Sequence, residues 1–184
     1  MKELGTQTIT TDRLVLRRFS LKDVNDYYEV IQDPQLYEYI SYNPCSSLEE
    51  TREYLTESIH YDDPYYFFWA ITLDGKIIGS ISATNVNIFN RSIELGYLLF
   101  SSYWHHGYMS EAGSAVFKYL QKIGFHKVVA FIQEGNTSSM KLCERLGMHS
   151  DGCFEDEILL KDGRYLDLYH YVIIFNEKNE ENKA

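Results

Sequence analysis

The sequence predicts a mixed α/β fold, a central and mostly antiparallel sheet with helices on both faces. Three observations lead there. Apolar patterning switches between period 2 and period 3.6 in the order strand, two helices, three strands, helix, strand, helix, two strands. Two Asp-Gly steps, Asp74-Gly75 and Asp162-Gly163, each lie between strand-like runs, a strong short-range hairpin signal. Residues 92–131 form one strand–helix–strand crossover, which calls for a parallel strand pair and marks where a ligand crevice is expected. The order fits neither an all-parallel doubly wound sheet nor a pure meander.

Each element has a local reason. Residues 13–19 read as a strand, with Leu14 and Leu16 alternating with Val15 and Arg17. Ser20 and Asp23 make a capping-box pattern for a helix over 21–32, and Asp33-Pro34 ends it because a residue before proline is pushed out of the helical region. Ser47 and Glu50 repeat the pattern for a helix over 48–61. Phe67–Leu73 and Lys76–Asn87 flank Asp74-Gly75, and 92–100 follows as a third strand after a loop at 89–91. Ala112, Ala115, Val116, Tyr119, Leu120 and Ile123 share one helical face, with Gly124 placed to stop the helix. A short apolar strand at 128–132 and a polar elbow at 133–136 lead to a helix over 138–146, ended by Gly147. Residues 152–160 and 165–175 form the last hairpin.

Composition narrows the function. With 184 residues, no repeat and no Pro-rich linker, the chain reads as one domain, 1–184, with a polar, disordered tail at 177–184. Hydrophobic residues at 45% and charged residues at 24% are globular values. The net charge of −10, from 17 basic against 27 acidic residues, repels phosphate backbones; it argues against nucleic acid and for a cationic or neutral partner. No apolar run approaches the roughly 20 residues of a membrane helix, and residues 1–12 lack the apolar core of a secretory signal. Three scattered cysteines, Cys45, Cys143 and Cys153, form no disulfide framework and read as thiols of a reducing, cytoplasmic compartment.

One loop and one carboxylate stand out. Residues 103–112 link a strand to a helix, and a helix N-terminus offers unsatisfied N–H groups and partial positive charge to an anion such as a phosphate. Gly107 permits close backbone approach there, though a turn alone would also use it. Neither a Walker-type loop nor a Gly-x-Gly-x-x-Gly fingerprint occurs, so an ordinary nucleotide fold lacks support. His105 and His106 are adjacent and point apart, with no further ligand cluster, so no metal is expected. Glu94 lies in the apolar run Ile93-Glu94-Leu95-Gly96-Tyr97, on the same side as Gly96 and Leu98. A carboxylate in such surroundings tends toward the raised pKa of a general base; the alternative is a structural carboxylate.

Taken together, Glu94-Leu95-Gly96-Tyr97, Trp104-His105-His106-Gly107-Tyr108-Met109-Ser110-Glu111-Ala112, Asn136-Thr137-Ser138-Ser139 and Glu144-Arg145-Leu146-Gly147-Met148 resemble the GNAT acyltransferase superfamily. The opening Thr11-Asp12-Arg13-Leu14-Val15-Leu16-Arg17 and the ending Gly152-Cys153-Phe154 with Lys161-Asp162-Gly163-Arg164-Tyr165-Leu166-Asp167 are similar to the branch of ribosomal-protein N-terminal and spermidine acetyltransferases. The resemblance spans residues 11–175. It implies an N-acetyltransferase that uses acetyl-coenzyme A as cosubstrate, needs no metal, and acts as a monomer or homodimer.

The resemblance also assigns residues. The family loop runs Gln or Arg, two residues, Gly, one residue, then Gly or Ala, and its amides hold the coenzyme pyrophosphate. Trp104, Gly107 and Met109 fall at those places, so only the central glycine is kept, while Met109 still donates a backbone N–H. Coenzyme contacts are thereby expected from Leu98, Leu99 and Phe100 on the strand, from His105, His106, Gly107, Tyr108, Met109 and Ser110 in the loop, and from Asn136, Ser139 and Lys141 beyond it. The crevice between strands 92–100 and 128–132 is the expected site. Asn136 holds the pantetheine arm or shapes the elbow; Lys141 and Arg145 meet the adenosine 3′-phosphate or simply face solvent.

Acetyl transfer needs a base for the amine and an acid for the departing thiolate. Glu94 takes the first role by resemblance. Many relatives place a Tyr acid on the last helix where this chain has Cys143, and Ser139 is favoured over it as the group at the coenzyme sulfur. Ordinary readings are a first-turn residue for Ser139 and a small core residue for Cys143. Glu157 is a weaker acid–base alternative. Tyr37, Tyr39, Tyr42, Tyr61, Tyr65 and Tyr66 lie in the region that covers the acceptor in this family, where one or two would line the pocket and the rest pack the core. The favoured acceptor is a protein or peptide α-amine, ahead of a polyamine or aminoglycoside. A non-catalytic acyl-coenzyme A sensor is the competing class, motivated by the departures at Trp104, Met109 and Cys143.

Overall fold

The computed structural model describes residues 4–39, 44–160 and 162–175. Tyr42, Lys161 and the tail 177–184 lie outside the described residues. The strands are β1 (Ile9–Thr10), β2 (Val15–Arg18), β3 (Phe67–Leu73), β4 (Lys76–Asn87), β5 (Ser92–Leu99), β6 (Lys127–Gln133), β7 (His149–Leu159) and β8 (Tyr165–Ile174). The helices are α1 (Val24–Ile31), α2 (Leu48–Ser58), α3 (Tyr108–Lys122) and α4 (Thr137–Arg145). Eight strands make one mostly antiparallel sheet in the order β1-β2-β3-β4-β5-β6-β8-β7. The expected crossover is present: β5 and β6 pair in parallel, with Glu94 opposite Val129. Asp74 and Gly75 both take positive φ, 49° and 83°, as a tight hairpin turn between β3 and β4 requires.

The chain resolves into two compact units, Met1–Thr84 with Leu95–Val116, and Asn85–Glu94 with Phe117–Ala184. In the first, β3 is buried along its length from Phe67 to Thr72. Val24, Tyr27, Val30 and Ile31 of α1 and Leu55 of α2 pack with Phe19, Phe68, Ala70 and Ile77 into one core. Phe19 stacks on Phe68 at 4.6 Å and meets Tyr27 edge-on at 4.9 Å between centroids. Burying each such side chain contributes about 1.5–3 kcal/mol. In the second unit Val128, Ala130 and Ile132 alternate inward along β6, Tyr171 and Val172 are buried in β8, and Leu142 and Cys143 are the buried residues of α4. Phe117 meets Phe175 edge-on at 6.0 Å. The last strand in the sheet order is β7, exposed at every residue but the half-buried Ile158. Its register shifts twice, between Ser150 and Gly152 and between Phe154 and Ile158.

Several boundaries differ from the sequence reading. The helix expected over 21–32 is a 3-10 turn, Leu21–Asp23, followed by α1. The Ser20 amide donates to the Asp23 carboxylate at 2.7 Å, and Arg17 holds that carboxylate with two hydrogen bonds of 2.8 and 2.9 Å. The second helix stops at Ser58 rather than at 61, because the Tyr61 hydroxyl is drawn into the core. There it accepts from the Phe19 amide at 2.7 Å and donates to the Phe68 carbonyl at 2.8 Å. The long helix starts at Tyr108, one turn before the periodic face that begins at Ala112. The short β1 and the 3-10 turns Pro34–Glu38 and Ser101–Tyr103 carry no periodic signal and were not expected.

Candidate active site

The loop into α3 is built in the first unit by fixed backbone geometry. At Gly79 in β4 an added Cβ would collide with the Leu98 carbonyl, so only glycine lets β4 approach β5 this closely. The Phe100 amide then donates to the Ile78 carbonyl at 2.9 Å, and the Ser101 amide to the Asp33 carboxylate at 2.8 Å. Burial pushes the Asp33 carboxyl up, but hydrogen bonds from Ser101 and from the Gln35 amide outweigh it and hold its pKa below the usual value. The Trp104 indole N–H donates to the Leu99 carbonyl at 2.6 Å. Trp104, which replaces the polar residue of the common pattern, therefore ties the loop to the end of β5.

Beyond Trp104 the backbone turns left-handed twice, at His105 (φ 64°) and at Gly107 (φ 79°). The second position explains the glycine, since a side chain there is strained. Left-handed residues on either side of His106 are the backbone alternation from which anion-binding turns are built, and α3 begins at the next residue after Gly107, Tyr108. His105, His106 and Gly107 are exposed, Tyr108 and Ser110 are half-buried, and the Met109 side chain is buried. Met109 thus anchors the first turn of α3 in the core.

Sequence reasoning missed the brace behind this loop. Arg13 donates through Nη1 to the His106 carbonyl at 2.9 Å and through Nε to Glu111 Oε2 at 2.7 Å. Its amide and the Thr11 hydroxyl both donate to Glu111 Oε1, at 2.9 and 2.6 Å. The guanidinium also lies 4.5 Å from the centre of the Tyr108 ring. Burial pushes the Glu111 carboxyl up, but the Thr11 hydroxyl, the Arg13 amide and the guanidinium together hold its pKa below the usual value. No local pattern marks this network, because Arg13 and Glu111 are 98 positions apart.

The second unit supplies the other candidates. Glu94 is half-buried on β5, and the Asn85 side-chain amide donates to its Oε2 at 2.8 Å. Asn85 takes a left-handed φ of 52°, which asparagine tolerates better than most residues. Asn136 caps α4: its side-chain oxygen accepts from the Ser139 amide at 3.1 Å. Ser139 is half-buried, Cys143 one turn on is fully buried, and Lys141 and Arg145 are exposed. Glu157 is exposed on β7.

Of the expected acceptor tyrosines, Tyr61 is fixed in the core, and burial raises its hydroxyl to about 12. The Tyr37 hydroxyl donates to the Ile31 carbonyl at 2.8 Å. Tyr39, raised mainly by a hydrogen bond with Glu38, and Tyr65 and Tyr66 are half-buried. Among the described residues no group of three or more His, Cys, Asp or Glu is gathered to hold a metal ion, and no helix is long and apolar enough to cross a membrane.

Comparison with known proteins gives the family. The acetyltransferase (GNAT) domain matches residues 13–149. A relative from Bacillus subtilis (strain 168), the uncharacterized N-acetyltransferase YnaD, is 27% identical over 172 residues, covering 93% of this chain and 99% of that protein. The crystal structure of a GNAT-family acetyltransferase from Bacillus anthracis superposes with a TM-score of 0.80 at 26% identity, covering 91% of this chain and 98% of the other. RimL, a ribosomal L7/L12 alpha-N-protein acetyltransferase solved in complex with coenzyme A, shares the fold with a TM-score of 0.85 at 22% identity, covering 92% and 98%. The loop built on Gly107 and the crossover from β5 to β6 thus sit in a chain that belongs to the GNAT family and is an acetyl-coenzyme A-dependent N-acetyltransferase.

Proposed function

We propose that this enzyme acetylates the α-amine of a protein or peptide N-terminus, of the ribosomal-protein type, by direct transfer with Glu94 as general base. The observation that carries the reading is the Glu94 carboxylate, half-buried and oriented by Asn85. A single oriented carboxylate suits an acceptor that is already partly neutral. The reference pKa of an α-amine is about 7.7–8.0 against about 10.4 for lysine, so it needs less help. The RimL fold likeness agrees with that choice.

In this reading the thioester of acetyl-coenzyme A supplies the acetyl group. The amides of residues 106–110 hold its pyrophosphate, and Leu98, Leu99 and Phe100 run beside the pantetheine arm. Asn136, whose side-chain oxygen serves the α4 cap, meets the same arm. Lys141 meets the 3′-phosphate. Glu94 takes the proton from the amine, and Ser139 serves the departing thiolate. Cys143, with no exposed surface, packs. The enzyme works as one catalytic domain in the cytoplasm, and the absence of a disulfide at Cys45, Cys143 and Cys153 agrees with a reducing compartment.

A panel of acceptors tests the proposal, with coenzyme thiol release as the readout. N-terminal peptides are expected to give the highest kcat/KM, with polyamines and aminoglycosides slower. A polyamine or aminoglycoside that outruns every peptide would overturn the acceptor assignment. Failure of every peptide amine would likewise overturn it.

A further inference from the structure

We infer that Arg13 is a positioning residue for the coenzyme pyrophosphate: by gripping the His106 carbonyl it fixes the peptide plane that presents the Gly107 N–H. The inference rests on the reading that the loop amides hold the pyrophosphate.

The peptide link between His106 and Gly107 is trans and planar, so its C=O and N–H point in opposite directions. Holding the oxygen therefore aims the hydrogen. The plane needs holding, because Gly107, at one end of it, stands at φ 79° and, lacking a Cβ, can take a negative φ as readily. A flip of this peptide changes only the His106 ψ and the Gly107 φ, so glycine leaves the flipped plane open as the ready alternative. Arg13 opposes the flip with a charge-assisted bond of 2.9 Å.

The grip is itself rigid. Glu111 takes the Nε of Arg13 on one oxygen and its amide on the other, and the Tyr108 ring covers the guanidinium. The Glu111 amide in turn donates to the Gly107 carbonyl at 3.0 Å, which closes the first turn of α3. One planar fork thereby spans the loop and the helix it feeds. Lysine, with a single point of charge on a flexible stem, cannot reach both. Arg13 has a second effect through charge. A bare carboxylate at Glu111, in the first turn of α3, would repel a diphosphate, and Arg13 offsets it in a chain of net charge −10.

The test compares kcat/KM for acetyl-coenzyme A with that for S-acetylpantetheine, which lacks the pyrophosphate and the adenosine. In Arg13→Ala the preference for the full coenzyme is expected to fall on the order of ten- to a hundredfold, the worth of a lost charged hydrogen bond. Arg13→Lys should fall between Arg13→Ala and wild type, and Glu111→Gln, which keeps the cation, should lose less than Arg13→Ala. Thermal melts check folding; if Arg13→Ala does not fold, Arg13→Lys carries the comparison. A preference that survives in the folded Arg13 variants, or equal losses on both substrates, overturns the positioning role alone. A wild-type enzyme with no preference overturns the pyrophosphate reading, and the role of Arg13 with it.

Discussion

Two helix starts carry the candidate chemistry, and they are braced in opposite ways. The start of α4 is held by its own neighbour: the Asn136 side chain accepts from the amide three residues on. The start of α3 is held from a distance, by Arg13 and Thr11 acting on His106 and Glu111. The first brace uses a neutral amide. The second uses an ion pair that spans almost a hundred residues of chain. A local cap forms wherever the helix forms, whereas the α3 brace exists only once the first unit has folded. The loop at Gly107 is thus coupled to the fold of the N-terminal strands, and the elbow at Asn136 is not.

The largest effect should come from neither brace but from Glu94. Glu94→Gln keeps the shape and the Asn85 neighbour and removes the base, so turnover should fall on the order of a hundred- to ten-thousandfold with coenzyme affinity nearly unchanged. The loss should shrink at high pH, where the amine loses its proton to solvent. A wild-type rate at neutral pH would return Glu94 to a structural role.

Next comes Gly107→Pro, which removes an amide donor and forces φ from +79° toward about −65°. Coenzyme A binding, measured by calorimetry, should drop by roughly a hundredfold or more. Unchanged affinity would detach the pyrophosphate from this loop. At α4, Ser139→Ala should cut turnover by roughly tenfold or more, while Cys143→Ala should cost mainly packing. Steady-state rates with thermal melts decide it, and a rate loss in Cys143→Ala alone would reverse the assignment.

The smallest effects distinguish the braces themselves. Asn136→Ala should destabilise by about 0.5–2 kcal/mol, the worth of an N-cap, at every pH between 3 and 8. The contribution of Glu111 should depend on pH. Its folded-state pKa is depressed, so the stability it adds is present above its ordinary value and is lost as pH falls through the lower, folded value. Denaturant melts of Glu111→Gln should therefore converge with wild type only in that acid range. Convergence already at neutral pH would mean that the ion pair contributes nothing to stability.

The contrast also explains what the sequence could reveal. Both β3 and β4 were legible to the residue, because apolar runs and the Asp74-Gly75 turn between them act over a few positions. The crossover into β6 was legible because a parallel pair demands it. Helix α2 was read three residues too long, since an apolar tyrosine at 61 continues the helical spacing while its hydroxyl is claimed by Phe19 and Phe68. The site divides in the same way. Gly107 and Asn136 announce themselves by residue type and position. Arg13 looks like any surface cation beside a strand, and its partner can be found only in three dimensions.

The exposed strand β7 has a consequence for handling the protein. Among the described residues no strand pairs with its outer edge, and such edges are templates that promote aggregation unless something interrupts them. Here Asp151, Glu155, Asp156 and Glu157 lie along it, and two register shifts bend it. With an isoelectric point near 5.0, acidifying a concentrated solution removes the net charge that keeps molecules apart and leaves the edge to its own devices. Turbidity should rise on approach to that pH and clear again on return to neutrality, and replacing the four acids with their amides should carry the cloudiness up to pH 7.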